Sequence, residues 1–298
     1  MTRSSDARAD ADDLVGGAVA LGELFAVRSY LYALFQKLLA TAPDQATLDA
    51  LQAEATRQAL GVYIDDCIPI RGFLSFIGEL AELDQAKLLE DARDEYTRIF
   101  IGPGSLPAPA FESPYLTNDE TIFQTNTIAV RQLYHEKGWE AKREMRVPDD
   151  SIALMCDFIA QLGTQDYHLI LADDRTALSE NLRFEQTFVH AHMNDWFQSF
   201  AEGTRNQRIV VIYPQILEAL SEFTKQDEVF LGEAAYWIER HAIRPENRST
   251  LLLARSLEED DLARMILDAH AKLERVRPYG IEDGELRERR SPLSTAQI

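Results

Sequence analysis

The chain has 298 residues, 46% apolar and 27% charged, and its 50 Asp and Glu outnumber 30 Lys and Arg for a net charge of −20. That length buries an ample core in one large domain or two small ones. The charge argues against a general DNA or RNA binder and against adhesion to anionic lipid, and it suits a partner of positive charge.

At the N-terminus, Arg3 and Arg8 stand among Asp6, Asp10, Asp12 and Asp13, and Leu14–Leu21 is short and broken by Gly16 and Gly17. A secretory signal needs a basic start followed by an unbroken apolar stretch, so none is read here. No apolar run approaches the ~18–20 residues that span a bilayer. A soluble, cytoplasmic protein is expected, with residues 1–20 as a disordered polar tail.

Helical periodicity dominates from there. Leu24, Phe25, Leu31, Leu34, Phe35, Leu38 and Leu39 recur at three- and four-residue steps and form one apolar stripe over 21–40. Similar stripes run through about 44–60, 68–82, 85–100, 119–137, 150–162, 174–201, 207–224 and 227–240. Asp149 is placed to cap a helix starting near Asp150, and Asp173 the helix after it. Arg208–Tyr213, RIVVIY, is the best strand candidate, but between helical patterns it reads as the start of a buried helix. The expected fold class is all-α: one globular helical-bundle domain over 21–238, with a helical, partly disordered extension over 239–298. That extension holds 11 Lys and Arg against 12 Asp and Glu, so a net −19 sits on residues 1–238. Within it, helical pattern recurs at 247–255 and 259–276, the acids Glu258–Asp261 suit a helix start, and the chain after Pro278 reads as loose. Cys67 and Cys156 sit in no CxxC and read as buried thiols of a reducing compartment.

One segment breaks the helical pattern. Ile101–Tyr115 reads IGPGSLPAPAFESPY and holds four of the eleven prolines. Proline fixes φ and removes a donor, so no helix runs through it. A stiff loop of this length inside a compact domain tends to be functional. It carries Phe111 and Tyr115 beside Glu112.

Signatures of catalysis are missing. No Gly precedes Lys, so there is no Walker A loop, and Gly102-Pro103-Gly104 has Pro107 where a dinucleotide loop needs its third glycine. None of the six histidines belongs to a Glu-x-x-His or HExxH pair, and they read as structural or surface residues. No GxSxG elbow occurs. The balance favours a binding protein over an enzyme, with no metal site.

The loop and its flanks form an ordered set: Glu95-Tyr96-x3-Phe100-x-Gly102-Pro103, then Leu106-Pro107-x-Pro109-x-Phe111, a helix with Val130-Arg131-x-x-Tyr134, and Pro148-x-Asp150-x-Ile152. In order and spacing, over about 65 residues, this set resembles the TorD/DmsD/NarJ family of cytoplasmic chaperones for molybdenum enzymes. Looser helical similarity runs from about Leu21 to Gly232 and includes His192-x3-Trp196 and Tyr213.

The resemblance implies an all-α body without catalytic activity. It implies binding to the twin-arginine leader, or the apo form, of a molybdopterin-containing reductase, held during cofactor insertion and before export. By residue, it places Pro109, Phe111 and Tyr115 of the loop with Pro148 and Asp150 of the turn in the binding groove, and Ser151 stands where the family commonly has His. Phe111 replaces a frequent Trp, and Ala110 a second loop proline. Glu112 and Asp149 join the candidate set on physical grounds, because a guanidinium is best met by carboxylates. Tyr96, Phe100, Gly102, Pro103 and Arg131 are expected to support the loop. The tail after about residue 240 extends beyond the family's usual length.

No tightly bound cofactor is expected, and transient contact with molybdopterin guanine dinucleotide or a guanine nucleotide stays open, as does the choice between monomer and homodimer. The expected partner is a molybdoenzyme catalytic-subunit precursor. The alternatives are a NarJ-like assembly chaperone for a non-exported nitrate reductase-type subunit and, in a different class, a helical adaptor or an enzyme with an unrecognised site.

Overall fold

The computed structural model describes residues 3–63, 67–102, 106, 108–116, 125–142, 147–205, 210–240 and 286–288. In chain order these form α1 (Arg3–Ala40), α2 (Gln45–Gln52), α3 (Glu54–Gly61), α4 (Ile68–Leu80) and α5 (Gln85–Tyr96), which runs into a π-helical segment, Thr97–Ile101. After the loop come α6 (Ser113–Leu116), α7 (Thr125–Glu136), a short strand β1 (Trp139–Ala141), α8 (Ile152–Ala172) and α9 (Arg175–Phe188). A second π-helical segment, Val189–Asn194, leads into α10 (Asp195–Arg205), followed by α11 (Tyr213–Arg240) and β2 (Leu286–Glu288). The fold is all-α.

Local chemistry sets the boundaries. Asp44 caps α2 in a reciprocal box with Thr47, and Asp84 caps α5 through the amides of Ala86 and Lys87. Pro69 stands in the first turn of α4, where its missing N–H costs nothing. Ser151, rather than Asp149 or Asp150, caps α8 by accepting from Leu154 N, which frees both aspartates for other contacts. Asp173 ends α8 in the left-handed conformation (φ 58°), and Asp174 caps α9 instead.

Other expectations are corrected. From Arg3 on, the segment expected as a polar tail is the opening of α1. Its alanines favour helix, and Gly16 and Gly17 cost about 1 kcal/mol each without ending it. The stripes at 207–224 and 227–240 belong to one helix, α11, which starts at Tyr213, the last residue of RIVVIY, rather than near residue 207. β1 and β2 pair antiparallel, with Ala141 opposite Leu286. Leu286 is buried and its N–H donates to Asp157 at 2.9 Å, so this part of the chain after Pro278 is tied to the body. The remaining calls on the extension, including Glu258–Asp261, lie outside the described residues.

The core sits between α1 and α8, the most extensive helix pair, and between α11 and α9. Phe25, Leu31, Phe35, Leu38, Phe158, Leu162, Phe188, Leu217 and Phe223 are all buried there, each contributing about 1.5–3 kcal/mol of apolar transfer. Small residues bring α1 and α8 close: Ser29 Oγ donates to Ala160 O at 2.8 Å, and a Cβ at Gly163 would lie 3.3 Å from Arg28 Nη1.

The core also holds charge. Arg28 is wholly buried, with Nε 2.5 Å from Asp227 and Nη2 2.5 Å from Glu185, and Asp166 3.7 Å away. Tyr32 donates to Asp227 at 2.8 Å and Asn181 to Asp166 at 3.2 Å. Burial raises the pKa of Asp166 and, beside it, of Glu185. Four helices, α1, α8, α9 and α11, are thus joined by one ionic cluster that apolar periodicity does not reveal. Cys67 and Cys156 are free thiols, both buried. Among the described residues, no helix is long and apolar enough to cross a membrane, and no group of His, Cys, Asp and Glu is arranged to hold a metal ion.

Candidate functional site

The proline-rich loop folds back onto the turn before α8. Phe111 and Ser151 form an antiparallel bridge, Glu112 N donates to Asp150 O at 3.0 Å, and Ile152 N donates to Ala110 O at 3.1 Å. The last of these bonds satisfies an amide in the first turn of α8 that has no partner inside its own helix. The turn closes on itself through Ser151 N to Pro148 O at 3.0 Å. The two segments expected to converge therefore do so through backbone bonds.

Asp150 is the tie. It is fully buried, and its Oδ2 accepts from Ser113 N at 2.9 Å and from the Ser113 hydroxyl, while Oδ1 accepts from Thr127 Oγ1 at 3.1 Å. One carboxylate thus fastens loop, α6 and α7 together. Asp149 beside it is gripped from α7: Arg131 Nε and Nη2 reach Oδ2 at 2.9 and 2.5 Å, and Tyr134 donates its hydroxyl to Asp149 O at 2.8 Å. Arg131 and Tyr134 lie three residues apart, on neighbouring positions of one helix face, which gives the V-R-x-x-Y pattern its physical reason.

Glu112 is also fully buried, and its carboxylate lies 3.0 and 3.2 Å from His192 Nδ1. Burial pushes the Glu112 carboxyl above the usual range; His192 pulls it down, while Asp150 and Asp195 push it up. His192 belongs to the second π-helical segment, and its carbonyl accepts from Trp196 Nε1 at 2.7 Å. That contact accounts for the His-x3-Trp pattern. π-helical segments recur at functional sites, and this chain places one at each flank of the loop's packing surface.

The aromatics form a row. Tyr115 is half-buried, its hydroxyl donates to Pro109 O at 2.8 Å, and its ring centroid lies 5.1 Å from that of Trp196. Trp196 continues to Phe200 at 6.0 Å, Phe200 to Phe100 at 6.2 Å and Phe100 to Tyr96 at 4.7 Å. Phe111 and Pro109 are half-buried, as are Pro148 and Phe100, while Ile101, which follows Phe100 in the chain, is 65% exposed and Leu116, which follows Tyr115, is 47% exposed. Gly102 takes a positive φ of 75°, a conformation a side chain would strain, and turns the chain out of the first π-helical segment. Pro103 lies outside the described residues.

The flank carries a further device. Glu95, buried on α5, accepts from the amides of Val211, Ile212 and Tyr213 at 2.8, 2.7 and 3.1 Å and so caps α11 from across the fold. Tyr96 and Tyr213 donate to Leu39 O and Leu38 O, closing the end of α1.

Four placements differ from expectation. Glu112, Asp149 and Asp150 were candidates to meet a partner's guanidinium, yet each is buried and bound within the chain, Glu112 and Asp150 completely. Asp149 keeps only an edge beside Arg131, which itself is 30% exposed. Arg131 was expected only to support the loop by packing, and it is the ion-pair partner of Asp149. His192, Thr127, Tyr134, Trp196 and Glu95 complete the site without having been chosen for it; the spacing of His192 to Trp196 and the places of Glu95 and Tyr134 in the ordered set were the visible signals, and Thr127 had none.

The chain matches the model of a family described as nitrate reductase delta subunit over residues 70–202, a range that contains the loop, the turn and His192. It is 30% identical over 79 residues to the Tat proofreading chaperone DmsD of Salmonella typhimurium, covering 26% of this chain and 39% of that one. A protein of Haemophilus influenzae named as a probable Tat proofreading chaperone DmsD is 28% identical over 92 residues, 31% of this chain and 45% of its own. The chaperone protein TorD of Vibrio vulnificus is 21% identical over 207 residues, 68% of this chain and 94% of its own. The matches to the DmsD relatives thus span less than half of those proteins' length.

Proposed function

We propose, from its similarity to the TorD/DmsD/NarJ chaperones, that this chain is a cytoplasmic maturation chaperone for a molybdoenzyme. It holds the catalytic-subunit precursor by its twin-arginine leader while the cofactor is inserted, and it does no chemistry of its own. One observation carries the reading: the loop and the turn that bear the family pattern are joined by the Phe111–Ser151 bridge and by Asp150 into one built site. A stiff loop that holds half-buried rings offers apolar anchors at low entropic cost. The net charge of −20 favours encounter with a basic leader.

A second reading is an assembly chaperone for a nitrate reductase-type subunit that is not exported; the name nitrate reductase in the family model's description supports only the class of client. Affinity capture with the full chain from an extract of its source organism, followed by mass spectrometry, tests both. Recovery of a molybdoenzyme catalytic subunit with a twin-arginine leader supports the first reading, and recovery of one without it supports the second. Recovery of no molybdoenzyme contradicts both.

A further inference from the structure

The three acids of the site differ in what holds them. Asp150 is occupied by neutral donors and Glu112 by an imidazole, and neither has any exposed surface. Asp149 alone is held by a guanidinium, and that guanidinium lies at the rim, 30% exposed against 3% for the acid beneath it. The two bonds from Arg131 to Asp149, from Nε and Nη2, fall on the one oxygen Oδ2 rather than on both carboxylate oxygens as in the strongest arginine–carboxylate contacts. The acid itself is fixed independently of Arg131. Tyr134 holds its carbonyl, and its neighbours Asp150 and Ser151 are bonded to the loop.

We propose that Arg131 is an internal occupant of the client's arginine subsite: it covers Asp149 in the free chain and yields it to a guanidinium of the bound leader. The proposal rests on the leader-binding reading above and deepens it. Exchange of one guanidinium for another keeps the buried carboxylate paired throughout, which avoids leaving an uncompensated charge. A long arginine side chain at the rim swings into water and stays solvated. Ile128, 49% exposed and three residues before Arg131 on the same face of α7, offers an apolar rest for the residues that follow the client arginine. The contact makes the site selective, since a client must outcompete an arginine that is already there.

Titration calorimetry tests this with the full chain and a synthetic peptide bearing Arg-Arg and an apolar stretch, beside the same peptide with both arginines replaced by Gln. If Arg131 covers Asp149 for about 90% of the time, Arg131→Gln tightens the Arg-Arg peptide roughly 10-fold. Asp149→Asn weakens it, and in the double variant the tightening disappears, because the two residues act through one contact. Arg131→Lys, which keeps the charge but replaces two N–H contacts with a single point contact, gives a smaller tightening and serves if the Gln variant melts early. A wild-type chain that prefers the Arg-Arg peptide while both Arg131 variants bind it equally or more weakly overturns the exchange and leaves the leader-binding reading intact. A wild-type chain that does not distinguish the two peptides overturns that reading, and the exchange with it.

Discussion

Glu112 and His192, 80 positions apart in the chain, meet as a buried carboxylate and a rim imidazole 3.0 Å apart. The pair pins the proline-rich loop to the segment before α10. Burial, with the nearby Asp150 and Asp195, holds the Glu112 carboxyl above its usual range, so the loop is best anchored when that acid keeps its proton. The stability from this group is fully present below the ordinary glutamate range and is lost as pH rises through the raised folded value. His192 opposes the loss by favouring the ionised acid. His192→Ala leaves a buried carboxylate without this partner and costs about 1–3 kcal/mol at neutral pH. Thermal melts across pH 4.5–8 check it: the deficit of the variant shrinks toward the acid end, and a deficit independent of pH contradicts it.

The Arg28 cluster predicts unequal penalties. Arg28→Met strands Asp227, Glu185 and Asp166 in the core and costs about 3–5 kcal/mol, as breaking a buried pair does. Asp166→Asn is milder, at roughly 1 kcal/mol or less, because burial and the neighbouring Glu185 already favour the protonated acid there. Urea denaturation at pH 7 ranks the two variants, and equal penalties contradict the account.

Glu95 makes a separable prediction. Its carboxylate collects three amides at the start of α11. Glu95→Ala removes a cap and a favourable charge at a helix N-terminus, costing about 2 kcal/mol. Hydrogen exchange localises the effect: amides at 211–216 lose protection first, before those of α8.

How much of this was legible depends on which residues carried the signal. The apolar stripes located α4 and α5 closely, because their cores are aliphatic and aromatic and Asp84 marks the start of α5. The prolines marked the loop, because no other residue excludes helix as firmly. Charged positions were less legible. Asp149, Asp150 and Glu112 read as acids facing a partner, and in the free chain they are already held by Arg131, Thr127, Ser113 and His192, which their sequence neighbourhood does not reveal. Periodicity counts apolar residues, so it gives no sign of Arg28, Asp166, Glu185 and Asp227, although all four are buried. The caps slipped by one or two residues, to Ser151 and Asp174, because runs of acids offer several equivalent cap candidates.

Binding of a leader-like peptide to the wild-type chain and to Phe111→Ala, followed by calorimetry, decides whether the loop and turn are a client site. Phe111 is half-buried and bridged to Ser151 through its backbone alone, so the variant keeps its helical spectrum and melts within a few degrees of wild type. One-site binding of the Arg-Arg peptide, abolished by Gln at both arginines and weakened about 10-fold or more by loss of the Phe111 ring, is expected for an apolar anchor in a recognition site. Wild-type affinity in Phe111→Ala, or equal affinity for the Arg and Gln peptides, contradicts it.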